Sequence, residues 1–369
     1  MGHYDFIFEK LIALNKKFIY LILAIFIFGM FMLYSASGGN INPWALRQFV
    51  YFASFFPIMI LIALIDIKVW FRFSYLIYLF ALGLLVLVEI KGHTAMGATR
   101  WIRVGPFTVQ PSELMKVCLV IGLAKYFYNR EEWQIKKNKY LVVPMLMIFT
   151  PFALIIRQPD LGTALILAVM GITVLFAVGV QWWKFALSGI LGLSGLPFLW
   201  KYFLHNYQKK RILTFFNPEA DPLGSGYNIM QSKIAIGSGG FFGKGYLKGT
   251  QGQLAFLPEK QTDFIFTMLT EELGFIGGAM VIILYSLLIG YALAIGVKCR
   301  HTYGRVIAVG IASMVFFHAF INIAMVMGML PVVGAPLPLL SYGGTITMVS
   351  LVGFGFILNA DLYKKTEIK

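Results

Sequence analysis

Long apolar runs, separated by short polar connections, occupy most of the chain. A helix needs about 20 predominantly apolar residues in succession to cross a bilayer. By this criterion the sequence predicts about ten membrane-spanning helices, at 18–37, 46–65, 72–90, 112–128, 140–157, 161–180, 184–203, 264–294, 306–328 and 344–361. The predicted fold class is therefore all-α, a polytopic membrane protein with a single transmembrane domain over residues 1–369.

The composition excludes an ordinary soluble domain. Hydrophobic residues make up 59% of the chain and charged residues only 13%, and the mean hydropathy is +0.78. The two cysteines, Cys118 and Cys299, fall in or beside predicted spans and indicate neither a disulfide framework nor a metal motif. A short basic segment precedes the first apolar run without a cleavage pattern, which predicts an uncleaved first span.

The distribution of lysine and arginine predicts the orientation in the membrane. One set of alternate connections holds most of these residues: Lys10, Lys16, Lys17, Lys68, Arg72, Arg130, Lys136, Lys137, Lys139, Lys184, Lys298, Arg300, Arg305, Lys364, Lys365 and Lys369. The short connections of the other set hold only Arg47, Lys91, Arg100, Arg103 and Arg157. The first set is expected in the cytoplasm with both chain termini, which makes the large connection 204–263, between helices 7 and 8, extracytoplasmic.

The net charge of +15 could indicate a nucleic-acid partner. The positive residues lie in short loops between apolar runs, however, as in a membrane protein that faces anionic lipid. The sequence contains no basic helix with interleaved aromatic residues. We therefore predict a membrane protein that binds no nucleic acid.

The connections predicted on the outer side are rich in glycine, proline and polar residues, at 92–113, 157–163, 224–253 and 334–345. Irregular backbone at membrane depth is tolerated only where protein or a water-filled cavity surrounds it. Four such segments on one side predict a shared cavity that opens outward.

Asp263 ends one of these connections and is followed directly by the apolar run 264–266. A carboxylate at that depth is costly to desolvate and needs a partner or a function. With Glu259 and Lys260 it could act as a general base or a metal ligand at the cavity mouth. The alternative is an acid at a helix N-terminus that interacts with the helix dipole.

Other charged residues at similar depth have competing interpretations. Arg157 and Asp160 flank Pro159, either as a pair that binds phosphate or a cation, or as a tight turn with a local ion pair. Glu113 and Lys116 share a helix face, and Lys116 lies about one turn inside a span, where it needs an acid or a phosphate. The alternative there is a capped helix beside an interfacial Trp101.

Two further patterns favour structural roles. His318 and Asn322 are four residues apart on one helix face, which favours hydrogen bonds that pack helices together. The prolines and glycines of 336–344 predict a bent entry to the last span or a cavity wall. No spacing matches a structural zinc site, and no segment has the spacing of a nucleotide-binding P-loop.

These residues carry a resemblance to the SEDS family of membrane proteins (shape, elongation, division and sporulation). The matching motifs lie at 98–101, 110–113, 157–163, 253–266, 271–274 and 337–344. They occur in order over nearly the whole chain. The short tails resemble the elongation members, RodA, more than the division members.

The resemblance implies a peptidoglycan glycosyltransferase that polymerises lipid II into glycan strands and releases undecaprenyl pyrophosphate. It implies that Asp263 is the catalytic residue and that Trp101, Glu113, Lys116 and Asp160 are functionally important. The implied partners are lipid II, the nascent glycan strand, a class B penicillin-binding protein transpeptidase, and MreC and MreD of the rod complex. A lipid II flippase and a non-catalytic scaffold are the alternative functions.

For this implied reaction we assign roles as hypotheses. Asp263 is the general base, and the cations that would contact the pyrophosphate are Lys116, Arg100 and Arg157. From the resemblance we also expect Trp101, Glu113 and Asp160 to contact substrate. Asp160 and Glu113 either orient the cations or hold a divalent metal, magnesium or manganese.

Overall fold

The computed structural model describes residues 3–91, 93–95, 98–104, 107–202, 206–217, 219, 221, 224–253, 257 and 259–368. Within these residues the chain is mostly helical. The helices are α1 (His3–Ala13), α2 (Lys16–Ala36), α3 (Trp44–Leu64), α4 (Ile67–Lys91), α5 (Pro111–Tyr128), α6 (Glu132–Ile135), α7 (Val142–Arg157), α8 (Leu161–Ala177), α9 (Trp182–Tyr202), α10 (Asn206–Phe216), α11 (Ser225–Gly239), α12 (Thr250–Gln253), α13 (Ile265–Lys298), α14 (Thr302–Val326) and α15 (Gly344–Leu362).

Each predicted span overlaps one of the longer helices, α2–α5, α7–α9 or α13–α15. Among the described residues, seven helices are long and apolar enough to cross a membrane: Lys16–Ala36, Trp44–Leu64, Ile67–Ile90, Asn138–Arg157, Ile265–Lys298, Thr302–Val326 and Gly344–Leu362. Helix α8 is apolar but has only 17 residues. Helix α5 carries three charged residues, Glu113, Lys116 and Lys125, so its burial depends on partners for those charges.

The all-α prediction misses a small antiparallel sheet. Its strands are β1 (His93–Ala95), β2 (Ala98–Val104) and β3 (Phe107–Val109), with β2 in the middle. Ile102 pairs with Val109 and Arg103 with Thr108. The sheet places Arg100 on the middle strand, beside the end of the helix bundle. The predicted outer connection 204–263 is also structured, because it contains α10, α11 and α12.

Helices α14 and α15 form the centre of the bundle. In α15, 78% of the apolar span is buried, and in α14 67%, against 28% in α3 and α4. Helix α15 packs closely on α3 at Gly355, where any side chain would come within 2.7 Å of the Met59 carbonyl. The Asn359 amide donates hydrogen bonds to the Ile62 and Ala63 carbonyls, 3.2 and 3.0 Å away, and so satisfies the end of α3.

Helix α13 is interrupted at Gly274, whose φ of 65° and ψ of −160° are accessible only to glycine at low cost. Residues of the preceding loop replace the hydrogen bonds that the helix loses. The Lys244 amide donates to the Glu271 carbonyl and the Gly245 amide to the Glu272 carbonyl, both at 3.0 Å. The break therefore anchors the loop against the membrane-spanning part of the chain.

The side chains of the same two glutamates complete this anchor. Buried Glu271 accepts from the Lys244 ammonium at 2.7 Å and from the Thr250 amide at 2.9 Å. Buried Glu272 accepts from the Ser35 hydroxyl at the end of α2, 2.5 Å away. Because buried carboxylates are stable only when they are paired or hydrogen-bonded, both side chains hold the loop in one position.

Contacts also join the lysine- and arginine-rich connections to one another. The Lys184 ammonium donates to the Lys136 carbonyl at 2.7 Å. The Arg300 amide donates to the Lys364 carbonyl at 3.0 Å. These connections, which sequence analysis assigned to the same side, therefore lie together.

Replacing Gly274 by Ala should destabilise the protein by about 1–3 kcal/mol or more. The added side chain would overlap the backbone of Gly243 and Phe241, and the conformation is unfavourable for alanine. Thermal unfolding of the purified protein in detergent measures the effect.

Gly290 is the matched control, because it lies in the same helix with open space around it. Gly290→Ala should be neutral or should stabilise by up to ~1 kcal/mol. Equal unfolding temperatures for the two variants would contradict the interrupted helix.

Candidate active site

The turn at residues 259–263 places Asp263 directly before α13. Glu259 begins the turn with a φ of 55°. Its carbonyl accepts from the Thr262 amide at 3.1 Å and from the Phe264 amide at 3.4 Å. Its carboxylate accepts from the Thr262 hydroxyl at 3.1 Å. One acidic residue therefore organises the turn through both its backbone and its side chain.

Hydrogen bonds from α14 and from the loop before α15 fix this turn to the bundle. The Ser341 hydroxyl donates to the Thr262 carbonyl at 2.7 Å. The Asn322 amide on α14 donates to the Asp263 carbonyl at 2.8 Å and to the Ala335 carbonyl at 2.7 Å. Asn322 thus joins separate segments through hydrogen bonds, but its partners are loop carbonyls rather than a neighbouring helix, and one of them belongs to the candidate catalytic residue.

Asp263 lines a cavity of about 490 Å³. Both polar and apolar residues line this cavity. The polar residues include Arg100, Thr108, Gln110, Glu113, Asp160, Thr163, Arg211, Thr262 and Asp263. The aromatic and apolar residues include Tyr51, Phe55, Trp101, Ile346 and Met348. Segments from all the predicted outer connections except 224–253 meet here, as the prediction of a shared cavity requires.

The Asp263 carboxylate is half-buried and receives no hydrogen bond from the described residues. A side chain at Gly334 would lie 3.3 Å from its Oδ2, so the carboxylate rests against backbone. Burial raises the pKa of Asp263 to about 6; Glu259 adds to the rise and Arg211 opposes it. The group is therefore ionised at neutral pH and has lone pairs available to accept a proton.

Lys116 does not line the cavity, contrary to its predicted contact with pyrophosphate. It is fully buried, and its ammonium lies 2.8 and 2.7 Å from the two carboxylate oxygens of Glu113. It also lies 2.6 Å from His318 Nε2. Since an ammonium can only donate, Nε2 accepts, and Nδ1–H donates to the Pro336 carbonyl at 3.2 Å. Lys116 thus acts on the cavity through Glu113.

Asp160 is held as the N-cap of α8, where it accepts from the Thr163 amide at 3.4 Å. The Gln110 amide donates to its Oδ2 at 2.6 Å. Arg100 lies nearby, with a guanidinium nitrogen 3.8 Å from Asp160 Oδ1 and Nε donating to the Gln158 carbonyl at 3.0 Å. Arg100 and Asp160 both line the cavity, as predicted. The hydrogen bonds just described fix the orientations of their side chains.

Arg157 is a second predicted site residue that the structure leaves outside the cavity. Its side chain is 74% exposed and lies 3.8 Å from Glu89 rather than pairing with Asp160. The cation that lines the cavity in its place is Arg211 of α10. Sequence analysis missed Arg211 because it lies in a long connection whose fold over the cavity has no local signal. The run 209–211 of three basic residues was the available clue.

The described residues do not fit the predicted metal site. No group of three or more histidine, cysteine, aspartate or glutamate side chains among them could hold a metal ion. Glu113 is already neutralised by Lys116, and Asp160 accepts from Gln110 and Thr163. A bound metal would have to displace these partners, so no step proposed below depends on one.

Comparison with known proteins places these features in a family. A family model described as cell cycle protein, for FtsW, RodA and SpoVE, matches residues 15–366. The peptidoglycan glycosyltransferase MrdB of Escherichia coli is 40% identical over 354 residues, which cover 96% of this chain and 95% of that protein.

Solved structures show the same architecture. A chain from a peptidoglycan synthase complex, studied for the coordination of polymerization and crosslinking, matches with a TM-score of 0.84 and 29% identity. The rod shape determining protein RodA of Thermus thermophilus matches with a TM-score of 0.73 and 27% identity. Each match covers 96% of this chain and 99% of the other. The chain therefore belongs to the FtsW, RodA and SpoVE family of cell cycle proteins, the SEDS family that its motifs resemble.

Proposed function

We propose that this chain is a peptidoglycan glycosyltransferase that polymerises lipid II into glycan strands during cell-wall elongation. One observation carries the proposal: the Asp263 carboxylate has no hydrogen-bond donor among the described residues and lies in a cavity with Arg100 and Arg211. The 40% identity to a protein named peptidoglycan glycosyltransferase supports the same activity.

The cavity suits a lipid-linked diphosphate. Two guanidinium groups, of Arg100 and Arg211, line the same cavity as Asp263, and guanidinium pairs well with phosphate oxygens. Phe55, Ile346 and Met348 supply apolar surface in this cavity. A polyprenyl tail could therefore extend into the bilayer while the polar groups hold the sugar and the diphosphate, which would remove part of the orientational cost of the reaction.

Asp263 would act as the general base. The 4-hydroxyl of the acceptor GlcNAc loses its proton to the carboxylate as its oxygen bonds to the anomeric carbon of the donor MurNAc. The bond from that carbon to the pyrophosphate breaks, and a β-1,4 linkage forms with inversion. The arginines stabilise the charge of the leaving pyrophosphate, so no acid need protonate it.

Glu113 and Lys116 would support this site from the buried side of the cavity wall. Glu113 lines the cavity, whereas Lys116 is buried behind it. The ammonium holds the Glu113 carboxylate in place and balances its charge. We therefore assign Lys116 a positioning role and Glu113 a direct contact with the polar part of the substrate.

We place the cavity on the extracytoplasmic side, with both termini in the cytoplasm and about ten spans. The number of helices at the predicted span positions, which is even, supports this topology. The lysine- and arginine-rich connections also contact one another, consistent with a common cytoplasmic location. The active site would then face the outer leaflet of the bacterial inner membrane.

The partner we propose is a class B penicillin-binding protein, which would cross-link the strands made here. The structural match to a peptidoglycan synthase complex that coordinates polymerization and crosslinking supports this partner. Resemblance to the elongation members also supports assembly with MreC and MreD.

Asp263→Asn should lower lipid II polymerisation by about 100- to 10,000-fold, because an amide cannot take the proton. Purified protein in detergent with its transpeptidase partner, labelled lipid II and gel separation of polymer would measure the loss. The same assay with and without chelator tests for a divalent cation.

Glu259→Gln is the matched control, since glutamine can still accept the hydrogen bonds of the turn. It should keep most of the activity. Near-normal polymer from Asp263→Asn would rule out the proposed base. If the wild-type protein moved lipid II between the leaflets of liposomes but made no polymer, that result would favour a flippase.

The pH dependence of polymerisation should follow the ionisation of Asp263. The rate should rise with pH through about 6 and then level off, because only the carboxylate accepts a proton. Glu259→Gln should move the midpoint down and Arg211→Gln should move it up, since the first removes a negative and the second a positive neighbour. Initial rates across the pH range check both directions, and opposite shifts would contradict the assignment.

Lys116→Met should destabilise the protein by about 3–5 kcal/mol, because it leaves the Glu113 carboxylate without its cation. The double variant Glu113→Gln with Lys116→Met should recover part of that loss. Thermal unfolding in detergent compares them. Wild-type stability of Lys116→Met together with a raised KM for lipid II would show a direct substrate contact instead.

A further inference from the structure

The structure contains a second cavity, which we call the rim cavity. It has a volume of about 520 Å³ and is lined by Ala36, Ser37, Gly38, Pro43, Trp44, Leu247 and Lys260. Its walls are the end of α2, the start of α3, and two points of the long outer connection. None of these residues lines the cavity of Asp263.

Buried contacts preform the rim cavity. The Glu272 carboxylate accepts from Ser35, directly before the α2 residues of the wall, at 2.5 Å. It also accepts from the amide of Leu247, which forms part of the wall, at 3.3 Å. One buried side chain therefore fixes both α2 and the loop, and no large rearrangement is needed to open the space.

Lys260 supplies an incompletely satisfied cation. Its ammonium donates to the Gly252 carbonyl at 2.6 Å and lies 5.9 Å from the centre of the Trp44 ring. No carboxylate of the described residues forms an ion pair with it. An ammonium has three donors, and burial lowers the pKa of Lys260. The site therefore offers hydrogen bonds to an anionic or hydroxyl-rich ligand beside an aromatic ring.

The two cavities share two structural elements. The turn 259–263 contributes Lys260 to the rim cavity and Asp263 to the active-site cavity. Helix α3 contributes Trp44 to the first and Tyr51 to the second. Seven residues make about two helical turns, so these rings lie on one face about 10 Å apart. A ligand that extends from Asp263 along α3 would reach the rim cavity.

We propose that the rim cavity is a saccharide subsite. It binds a sugar unit of the glycan next to the reacting unit, with Trp44 against the sugar ring and Lys260 on a carboxylate of the attached peptide. This inference rests on the proposed function. A polymerase must hold its growing strand between additions, and a sugar-binding site one unit away from the base would do so without touching the reacting atoms.

Trp44→Leu and Lys260→Met test the subsite. For binding, each substitution is made in the Asp263→Asn protein. Each double variant should bind the lipid-free disaccharide pentapeptide about 3- to 10-fold more weakly than Asp263→Asn alone, as measured by titration. In the Asp263 wild-type background both should make shorter polymer. The matched controls are Trp182→Leu, an exposed tryptophan at the start of α9, and Lys248→Met, an exposed lysine of the same outer connection; both should behave like wild type.

The outcomes separate this inference from the proposed function. Unchanged fragment affinity and polymer length in both rim variants would overturn the subsite, while polymerisation by the wild-type protein would still stand. Full activity of Asp263→Asn would overturn the proposed function instead. Circular dichroism and thermal unfolding establish whether each variant is folded. If Trp44→Leu does not fold, Lys260→Met alone tests the subsite.

Discussion

The structure depends on the hydrogen bonds that hold the turn 259–263 over the cavity. Ser341 and Asn322, from distant parts of the chain, donate to the backbone of Thr262 and Asp263. Their partners are carbonyl oxygens, so the carboxylate itself keeps its lone pairs. The fold can therefore fix the position of the group without reducing its ability to accept a proton, which is what pre-organisation of a base requires.

The other buried charges contrast with Asp263. Lys116 and Glu113 neutralise each other, and Glu271 is satisfied by Lys244 and backbone amides. Burial of an unpaired charge is expensive, so these partners are necessary for the helices to pack. Asp263 receives no hydrogen bond from the described residues at its carboxylate; burial raises its pKa, Glu259 adds to the rise and Arg211 opposes it. This difference in compensation is the reason that we propose Asp263 as the base.

The interrupted helix α13 links the long apolar part of the chain to the loop that precedes it. Its break at Gly274 exposes carbonyls that the amides of Lys244 and Gly245 satisfy. The adjacent glutamates then fix the loop and the wall of the rim cavity. A local irregularity in a helix therefore determines the shape of a surface formed by a separate segment.

The sequence by itself determined the positions of the long helices, and it predicted a cavity shared by separate polar segments and the candidate base Asp263. Apolar run length and the cost of a charge at membrane depth are local properties that a sequence displays. Only the tertiary structure decided that Arg211 lines the cavity, that Arg157 lies outside it, and that Lys116 faces Glu113 rather than the cavity. Those outcomes depend on how separated segments meet. The small sheet was missed for a related reason, because its strands of three to seven residues are too short for a clear alternation.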